Sequence, residues 1–161
     1  MKYFIFLASL FVLVLQAEEL RIKADKFSAD QNKGVSIFKG HVNIIKATDE
    51  LNASEVIIFT NKNNKPTKFI AKGDVSFIIK TKEGVQYKGV ANKVIYMPNK
   101  KEYQFFENVH LQQLNEKKEI LGDEVILKLN SGKAYAKGVK TEPVIMIFDI
   151  PEDKKTQKET K

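Results

Sequence analysis

Hydrophobic and polar residues alternate along most of this chain with a period of two. Val75 and Phe77 are apolar, for example, whereas Asp74 and Ser76 are polar. Such alternation is typical of a strand that buries one face and exposes the other. Clusters of Asn, Asp, Gly and Pro interrupt these segments at near-even spacing and supply the backbone conformations that turns need. The pattern predicts antiparallel strands joined by short turns, with no amphipathic helix in the mature chain.

Two short motifs repeat along the chain, one after the other. The first begins at positions 40, 73, 107 and 138, at intervals of 33, 34 and 31 residues. Its copies are Gly40-His41-Val42-Asn43-Ile44, Gly73-Asp74-Val75-Ser76-Phe77, Glu107-Asn108-Val109-His110-Leu111 and the shorter Gly138-Val139. The second motif has the copies Ala24-Asp25-Lys26-Phe27, Ala53-Ser54-Glu55-Val56, Ala91-Asn92-Lys93-Val94 and Gly122-Asp123-Glu124-Val125. A fixed period of this length predicts stacked copies of one supersecondary unit.

The repeats predict a single all-β domain, a rolled antiparallel sheet of strand–turn units around an apolar interior. One strand is ambiguous, because Ala53 and Ile57 on one face and Val56 and Ile58 on the other are all apolar. A bulge near Ser54 would reconcile the two patterns. The positions expected to face inward are Val42, Ile44, Val56, Ile58, Val75, Phe77, Ile79, Val94, Tyr96, Phe105, Val109, Leu111, Val125 and Leu127. Alternation alone leaves open whether they line a groove for an apolar ligand or form a closed core.

The N-terminus has the pattern of a secretory signal peptide. A positively charged start precedes an uncharged run over residues 3–15, and Ala17 precedes two acidic residues. We expect cleavage after Ala17, because the apolar run is shorter than the about 20 residues that a spanning helix needs. The alternative is an uncleaved inner-membrane anchor, since Leu15 is a poor residue at the third position before the cleavage site.

Cleavage of residues 1–17 leaves one domain, residues 18–150, and a short C-terminal segment. Residues 151–161 are rich in lysine and contain no apolar residue apart from Pro151. Such a segment has no surface with which to offset the entropy of ordering, so we expect a disordered tail. The export signal indicates a periplasmic location.

Composition excludes several classes of protein. The chain has 27 Lys and Arg residues against 20 Asp and Glu, a net charge of +7 at pH 7. The basic residues are scattered among acids and Arg21 is the only arginine, so we expect no nucleic-acid partner. Cysteine is absent, which excludes a disulfide framework and a lipoprotein anchored through a cysteine.

Motifs of catalysis and metal binding are missing from the sequence. His41 and His110 are the only histidines, and they occupy different positions in their repeats on the predicted polar face. A metal site needs several converging ligands, and no nucleophile elbow or phosphate-binding loop is present. We therefore expect no enzyme, no cofactor and no metal. Asn52-Ala53-Ser54 matches an N-glycosylation acceptor with Glu50 upstream, although a plain turn-to-strand asparagine is the simpler interpretation.

The two motifs in register, after a signal peptide and before a Lys-rich tail, resemble the OstA-like family of lipopolysaccharide-transport proteins. The resemblance covers about residues 20–150. It implies a rolled antiparallel β-jellyroll, open along one side at an apolar groove that binds the lipid A acyl chains of lipopolysaccharide. It also implies a periplasmic carrier that assembles head to tail as a bridge between inner-membrane and outer-membrane transport components. Glu107 departs from the pattern, since a glycine is expected there, which puts the local register in doubt.

The resemblance also assigns edge-docking residues at the two ends of the domain. They are Leu20 and Ile22 in the first strand, and Val144, Met146 and Phe148 near the C-terminal end. The alternatives are a membrane-anchored member of the same transport family and a non-catalytic periplasmic structural or chaperone β-protein. A periplasmic glycan hydrolase is a third possibility, which would depend on carboxylates such as Glu55 or Glu124 meeting in the fold.

Overall fold

The computed structural model of the protein describes residues 19–81 and 83–150. The expected signal peptide, 1–17, and the expected tail, 151–161, lie outside the described residues. The strands are β1 (Leu20–Lys23), β2 (Lys26–Asp30), β3 (Val35–Lys46), β4 (Asp49–Thr60), β5 (Pro66–Lys80), β6 (Gln86–Met97), β7 (Glu102–Gln113), β8 (Lys118–Lys128), β9 (Lys133–Lys137) and β10 (Ile145–Ile147). A 3-10 turn, Pro98–Lys100, joins β6 to β7. The described residues contain no helix that is long and apolar enough to span a bilayer.

All ten strands belong to one antiparallel sheet, in the order β1-β3-β4-β5-β6-β7-β8-β10. Strands β1 and β2 lie end to end along β3, since β1 pairs with residues 43–46 and β2 with residues 35–39. In the same way β10 and β9 lie end to end along β8. The first and last strands of the sheet are thus interrupted at the same level.

A line of β-bulges crosses the sheet at that level, and we call it the crease. Two residues with positive φ on one strand face a single residue on the next, as when Gly73-Asp74 faces Asn92. The bulged pairs are Gly40-His41, Gly73-Asp74 and Glu107-Asn108, and the single residues are Ser54, Asn92 and Asp123. The first three copies of the first motif therefore form the bulges, and the second motif forms the strand segments that face them. The fourth copy, Gly138-Val139, follows β9 and forms no bulge.

The bulges settle two points that the sequence left open, namely which face of β4 Val56 occupies and what the register is at Glu107. The register of β4 shifts between Asn52 and Glu55, so the irregularity predicted near Ser54 is present and Val56 faces inward. Glu107 adopts φ +62° in place of the expected glycine. The pairing on either side of it follows the same pattern as in the other copies, so the register at Glu107 is unchanged.

The crease divides the sheet into two arms that fold towards each other. The first arm comprises β1, β10 and the parts of β3 to β8 that lead to the turns at 46–49, 80–86 and 113–118. The second arm comprises β2, β9 and the parts that lead to the turns at 30–35, 60–66, 97–102 and 128–133. Phe77 of the first arm stacks on Phe105 of the second, with ring centroids 4.8 Å apart. This open, curled antiparallel sheet confirms the predicted jellyroll fold class.

The core lies between the two arms. Its buried residues are Val42, Ala53, Val56, Ile58, Ala71, Val75, Phe77, Ala91, Val94, Phe105, Val109, Leu111, Val125 and Leu127. Among the described residues no polar or charged residue is buried. Burial of apolar side chains and the ladder of strand hydrogen bonds therefore hold the arms closed.

Candidate functional site

The structure places the fourteen predicted inward residues together on the inner face of the roll. Eleven of them are buried, and Ile44, Ile79 and Tyr96 are half-buried. Sequence reasoning did not list Ala53, Ala71 or Ala91 among the inward positions, although they are also buried. Ala53 and Ala91 are the first residues of copies of the second motif, and this repeated position could have identified them as inward. Further inner residues that were missed are Phe38, Leu51, Phe69, Tyr87, Tyr103 and Ile120.

The inner side chains form rows that run across the strands, along the long axis of the roll. The row of the first arm is Ile22, Ile44, Leu51, Phe77, Gly89, Leu111, Ile120 and Met146. The facing row of the second arm is Phe27, Phe38, Val56, Ala71, Val94, Phe105, Val125 and Ala136. Each row continues from one sheet edge to the other, so the inner face is a continuous apolar strip.

Gly89 interrupts the first row so that the ring of Phe77 fits there. A Cβ added at Gly89 would lie 2.6 Å from Cζ of Phe77 and 2.7 Å from the carbonyl oxygen of His110. The absence of a side chain lets the ring lie over the neighbouring strand, where it meets Phe105. Phe77 and Phe105 together close the middle of the interior.

An apolar cavity of about 130 Å³ remains between the arms, near β1. Its lining comes from both arms and consists of Leu20, Ile44, Lys46, Asp49, Glu50, Leu51, Val56, Phe69, Ala71, Phe77, Ile79, Val94, Tyr96 and Tyr103. An apolar cavity of roughly 150 Å³ in another protein holds one benzene molecule. The interior in this conformation thus has room for part of one acyl chain and not for several.

The cavity continues into a wider cleft of about 600 Å³ between the two rows of turns. Ile79, Tyr96 and Tyr103 line both spaces, and Lys80 and Lys101 lie at the cleft. The open side of the roll therefore has an apolar floor and a rim that carries charges. An amphipathic molecule with an apolar chain and an anionic head matches this arrangement in chemistry.

Tyr96 and Tyr103 form the boundary between the floor and the rim. Their rings stack with centroids 4.3 Å apart. Burial raises the pKa of Tyr103 far above its ordinary value, and it raises the pKa of Tyr96 as well. Both hydroxyls stay neutral at physiological pH, so this pair adds no charge to the cavity.

The histidines lie away from the cavity. His41 Nδ1 is 2.7 Å from an Asp25 carboxylate oxygen, and His110 Nε2 is 2.8 Å from one of Glu119. The hydrogen bond with His110 lowers the pKa of the Glu119 carboxyl. No group of three metal-ligating side chains occurs within residues 19–81 and 83–150. Asn52 is exposed on the outer face of β4, where its side-chain oxygen accepts a hydrogen bond from Asn43 at 2.9 Å.

The predicted edge-docking residues lie at the two edges of the sheet. Leu20 and Ile22 belong to β1, where Leu20 also lines the cavity and Ile22 packs against the core. At the other edge Met146 is 58% exposed and Phe148 is 53% exposed, and Val144 is half-buried beside β10. Most of the exposed large apolar residues of the described chain belong to these edge strands or to segments next to them. Both edges thus combine unpaired strand backbone with apolar side chains.

Known proteins share this sequence pattern and this fold. Residues 21–133 match a family model described as LptA/(LptD N-terminal domain) LPS transport protein. Eighteen chains of solved structures match. One of them is LptH from Pseudomonas aeruginosa, described as the LptA-homologous periplasmic component of the conserved lipopolysaccharide transport device. The similarity to LptH has a TM-score of 0.71 at 16% identity and covers 83% of this chain and 96% of LptH. No curated protein sequence matches the chain.

Proposed function

The chain belongs to the LptA/LptD N-terminal-domain family of lipopolysaccharide-transport proteins, and we propose that it carries lipopolysaccharide through the periplasm with the lipid A acyl chains between its two arms. The observation that carries this proposal is the apolar cavity that continues into the charged cleft between the turns. Acyl chains would occupy the apolar floor, and the phosphorylated sugar head would lie at the rim in water. The carrier needs no catalytic residue, and we propose no enzymatic activity.

Loading requires the arms to move apart. The stack of Phe77 on Phe105 fills the middle of the interior, and the remaining cavity of about 130 Å³ is smaller than a lipid A molecule. Acyl chains would replace contacts that the inner side chains now make with each other. Removal of apolar surface from water is worth about 25 cal/mol per Å², so a lipid that covers the opened inner face offsets much of the cost of opening. Release then needs binding that is weak enough to reverse.

Assembly of several copies would extend the apolar strip. The β1–β2 edge and the β9–β10 edge both expose strand backbone, and pairing one with the other is a head-to-tail contact. Such a contact would cover Leu20 at one end and Met146 and Phe148 at the other. We propose that it builds a bridge between inner-membrane and outer-membrane transport components, formed by residues 18–150 after removal of the signal peptide.

Site-specific photocrosslinking in cells tests the groove with a matched pair of positions. Ile79 lines the cavity, whereas Ile78 is the adjacent isoleucine on the outer face of the same strand, and both are half-buried. A photoreactive amino acid at Ile79 should crosslink to lipopolysaccharide, and the same probe at Ile78 should not. A second probe at Tyr96, at the boundary of the cleft, should also crosslink.

The packed interior favours one other candidate function. A closed β-protein with a structural or chaperone role also buries Phe105 and Val125 completely, as observed. Absence of crosslinks at Ile79 and at Tyr96, in cells where the protein is folded and exported, would establish this candidate and reject the carrier. Retention of residues 1–17 in the exported protein would instead favour a membrane-anchored member of the family.

A further inference from the structure

The outer face of the second arm carries an apolar row in which Gln104 is the one polar residue between Ile37 and Tyr135. Ile37, Ile57, Ile70 and Ile95 are register partners on four consecutive strands, β3 to β6. The row continues through Gln104 to Ile126 on β8 and Tyr135 on β9. We call Ile37, Ile57, Ile70, Ile95 and Ile126 the outer isoleucine stripe. The apolar residues on both faces of β4, which made its parity ambiguous in the sequence, belong partly to this stripe.

The stripe points away from the core. Ile57 lies between the buried residues Val56 and Ile58, and Ile95 follows the buried Val94, so strand alternation directs both to the other face. The described elements are the strands of one sheet and a single 3-10 turn, so no further layer of them covers this face. From β3 to β9 the row crosses six inter-strand gaps, a length of about 29 Å at about 4.8 Å per gap.

Lysines flank the stripe on both sides. The register rows next to it contain Lys26, Lys39, Lys68, Lys72, Lys93, Lys128, Lys133 and Lys137, with the acids Asp30, Glu55, Glu102 and Glu124. Eight lysines against four carboxylates give this face a formal excess of four positive charges. Three of the lysines lie over aromatic rings of the same face, for example Lys68 Nζ at 5.0 Å from the centroid of Phe59.

We propose that this face docks on the surface of an anionic lipid bilayer. The isoleucine side chains would enter the boundary between headgroups and acyl chains, and the flanking lysines would contact headgroup phosphates. Long lysine side chains suit this geometry, because their stems cover apolar surface while their ammonium groups reach outwards. The protein would thus be held at a membrane surface by the outside of its roll.

Two comparisons favour a lipid surface. Lysine is depleted at protein–protein interfaces, and here it is the commonest charged residue around the apolar row. The outer face of the first arm has no run of isoleucine partners. Its row next to the crease begins with the polar residues Asn43, Asn52 and Ser76, and His110 separates its apolar members Val90 and Leu121. Four isoleucine partners on consecutive strands, with lysines in the rows on both sides, therefore occur on one outer face of the described sheet.

Vesicle cosedimentation of the purified protein tests the proposal. We expect the protein to bind vesicles of phosphatidylglycerol and phosphatidylethanolamine, and this binding should weaken as the salt concentration rises. Binding to phosphatidylcholine vesicles should be at least tenfold weaker. The variant Ile57→Thr/Ile95→Thr keeps β-branched residues on the face and removes apolar surface. The variant Lys72→Glu/Lys93→Glu reverses two flanking charges. Each should weaken binding to the anionic vesicles about tenfold or more.

The matched control carries the same kinds of change on the other arm. Ile78→Thr/Lys88→Glu alters register partners on the outer face of β5 and β6 in the first arm, and its vesicle binding should equal that of the wild type. Failure of the wild type to bind anionic vesicles, or equal losses in the control and the test variants, overturns the proposal. These vesicles contain no lipopolysaccharide, so either result leaves the crosslink from Ile79 as a separate test of the carrier function. Thermal melts of all variants identify any that fail to fold, and the lysine variant provides a second test should the isoleucine variant unfold.

Discussion

Replacing Gly73 by alanine tests whether the crease is required for the shape of the sheet. Gly73 has a φ of +78°, and a Cβ added there would lie 2.6 Å from Oγ and 2.7 Å from Cβ of Ser54. The left-handed backbone costs a residue with a Cβ about 1–2 kcal/mol. Overpacking against a neighbouring strand costs about 1–3 kcal/mol more. We therefore expect Gly73→Ala to lower the free energy of unfolding by about 3 kcal/mol.

Gly84 offers a matched control for the backbone contribution alone. Its φ is +85°, and no atom lies within 4 Å of a Cβ added there. Gly84→Ala should therefore cost about 1–2 kcal/mol, the penalty of the left-handed conformation without the steric part. Ser54→Gly removes both atoms that the new Cβ would meet. The cost of Gly73→Ala should consequently be smaller in the Ser54→Gly background than in the wild type.

Urea unfolding of the four variants gives the required free energies, with the slope of each transition checked for a change of the folded state. The comparison within the Ser54→Gly background is needed because Ser54 Oγ also donates a hydrogen bond to the Gly73 carbonyl at 3.3 Å. A steric role of the crease is excluded if Gly73→Ala costs no more than Gly84→Ala, or if Ser54→Gly leaves the cost of Gly73→Ala unchanged.

Three further predictions concern the interior and the edge. Burial raises the pKa of Tyr103 above its value of about 10 in the unfolded chain. The stability that this residue contributes is therefore complete below about pH 10 and is lost as the pH rises further. In urea unfolding at alkaline pH, Tyr103→Phe should lose less stability than the wild type, and an equal loss in both proteins contradicts this. Met146→Lys should weaken end-to-end assembly in light scattering, whereas Leu114→Lys, at an exposed residue of the β7–β8 turn, should not. Phe105→Leu should lower the free energy of unfolding by about 1–2 kcal/mol and increase lipid uptake by the folded protein; unchanged stability, or reduced uptake, would show that the stack does not hold the arms closed.

Much of the architecture could be predicted from the sequence because it depends on local rules. Alternation identifies inward residues such as Val75 and Phe77, and the glycine motif identifies where each strand changes direction. The motif did not reveal that its first two residues form a bulge that faces a single residue. Glu107 is the informative case, since it takes the left-handed conformation without being glycine. The neighbouring bulges impose that conformation through the register of the whole sheet, which local propensity does not contain.

The size of the interior could not be predicted, because it depends on how side chains from distant strands fill the space between the arms. Alternation places Phe77 and Phe105 inside but gives no distance between them, and they stack at 4.8 Å. The small residues opposite the rings are equally decisive, since Gly89 provides the space over which Phe77 lies. The stack of Tyr96 on Tyr103 likewise depends on packing that the alternation of the sequence does not describe.

Because the interior is packed, the proposed transport role requires the two arms to open before lipid can enter. Strands β3 to β8 run unbroken through the crease. Hydrogen bonds at the turns, such as the one from Leu129 N–H to the Lys101 carbonyl, join neighbours within one arm. Opening should therefore begin at the turns, with the crease as the fixed side. A carrier whose empty state is closed binds lipid with an affinity reduced by the fraction of molecules that are open. Contacts such as that between Phe77 and Phe105 then weaken lipid binding while they stabilise the fold. The strength of these contacts therefore sets the balance between the closed, empty state and the open, lipid-loaded state.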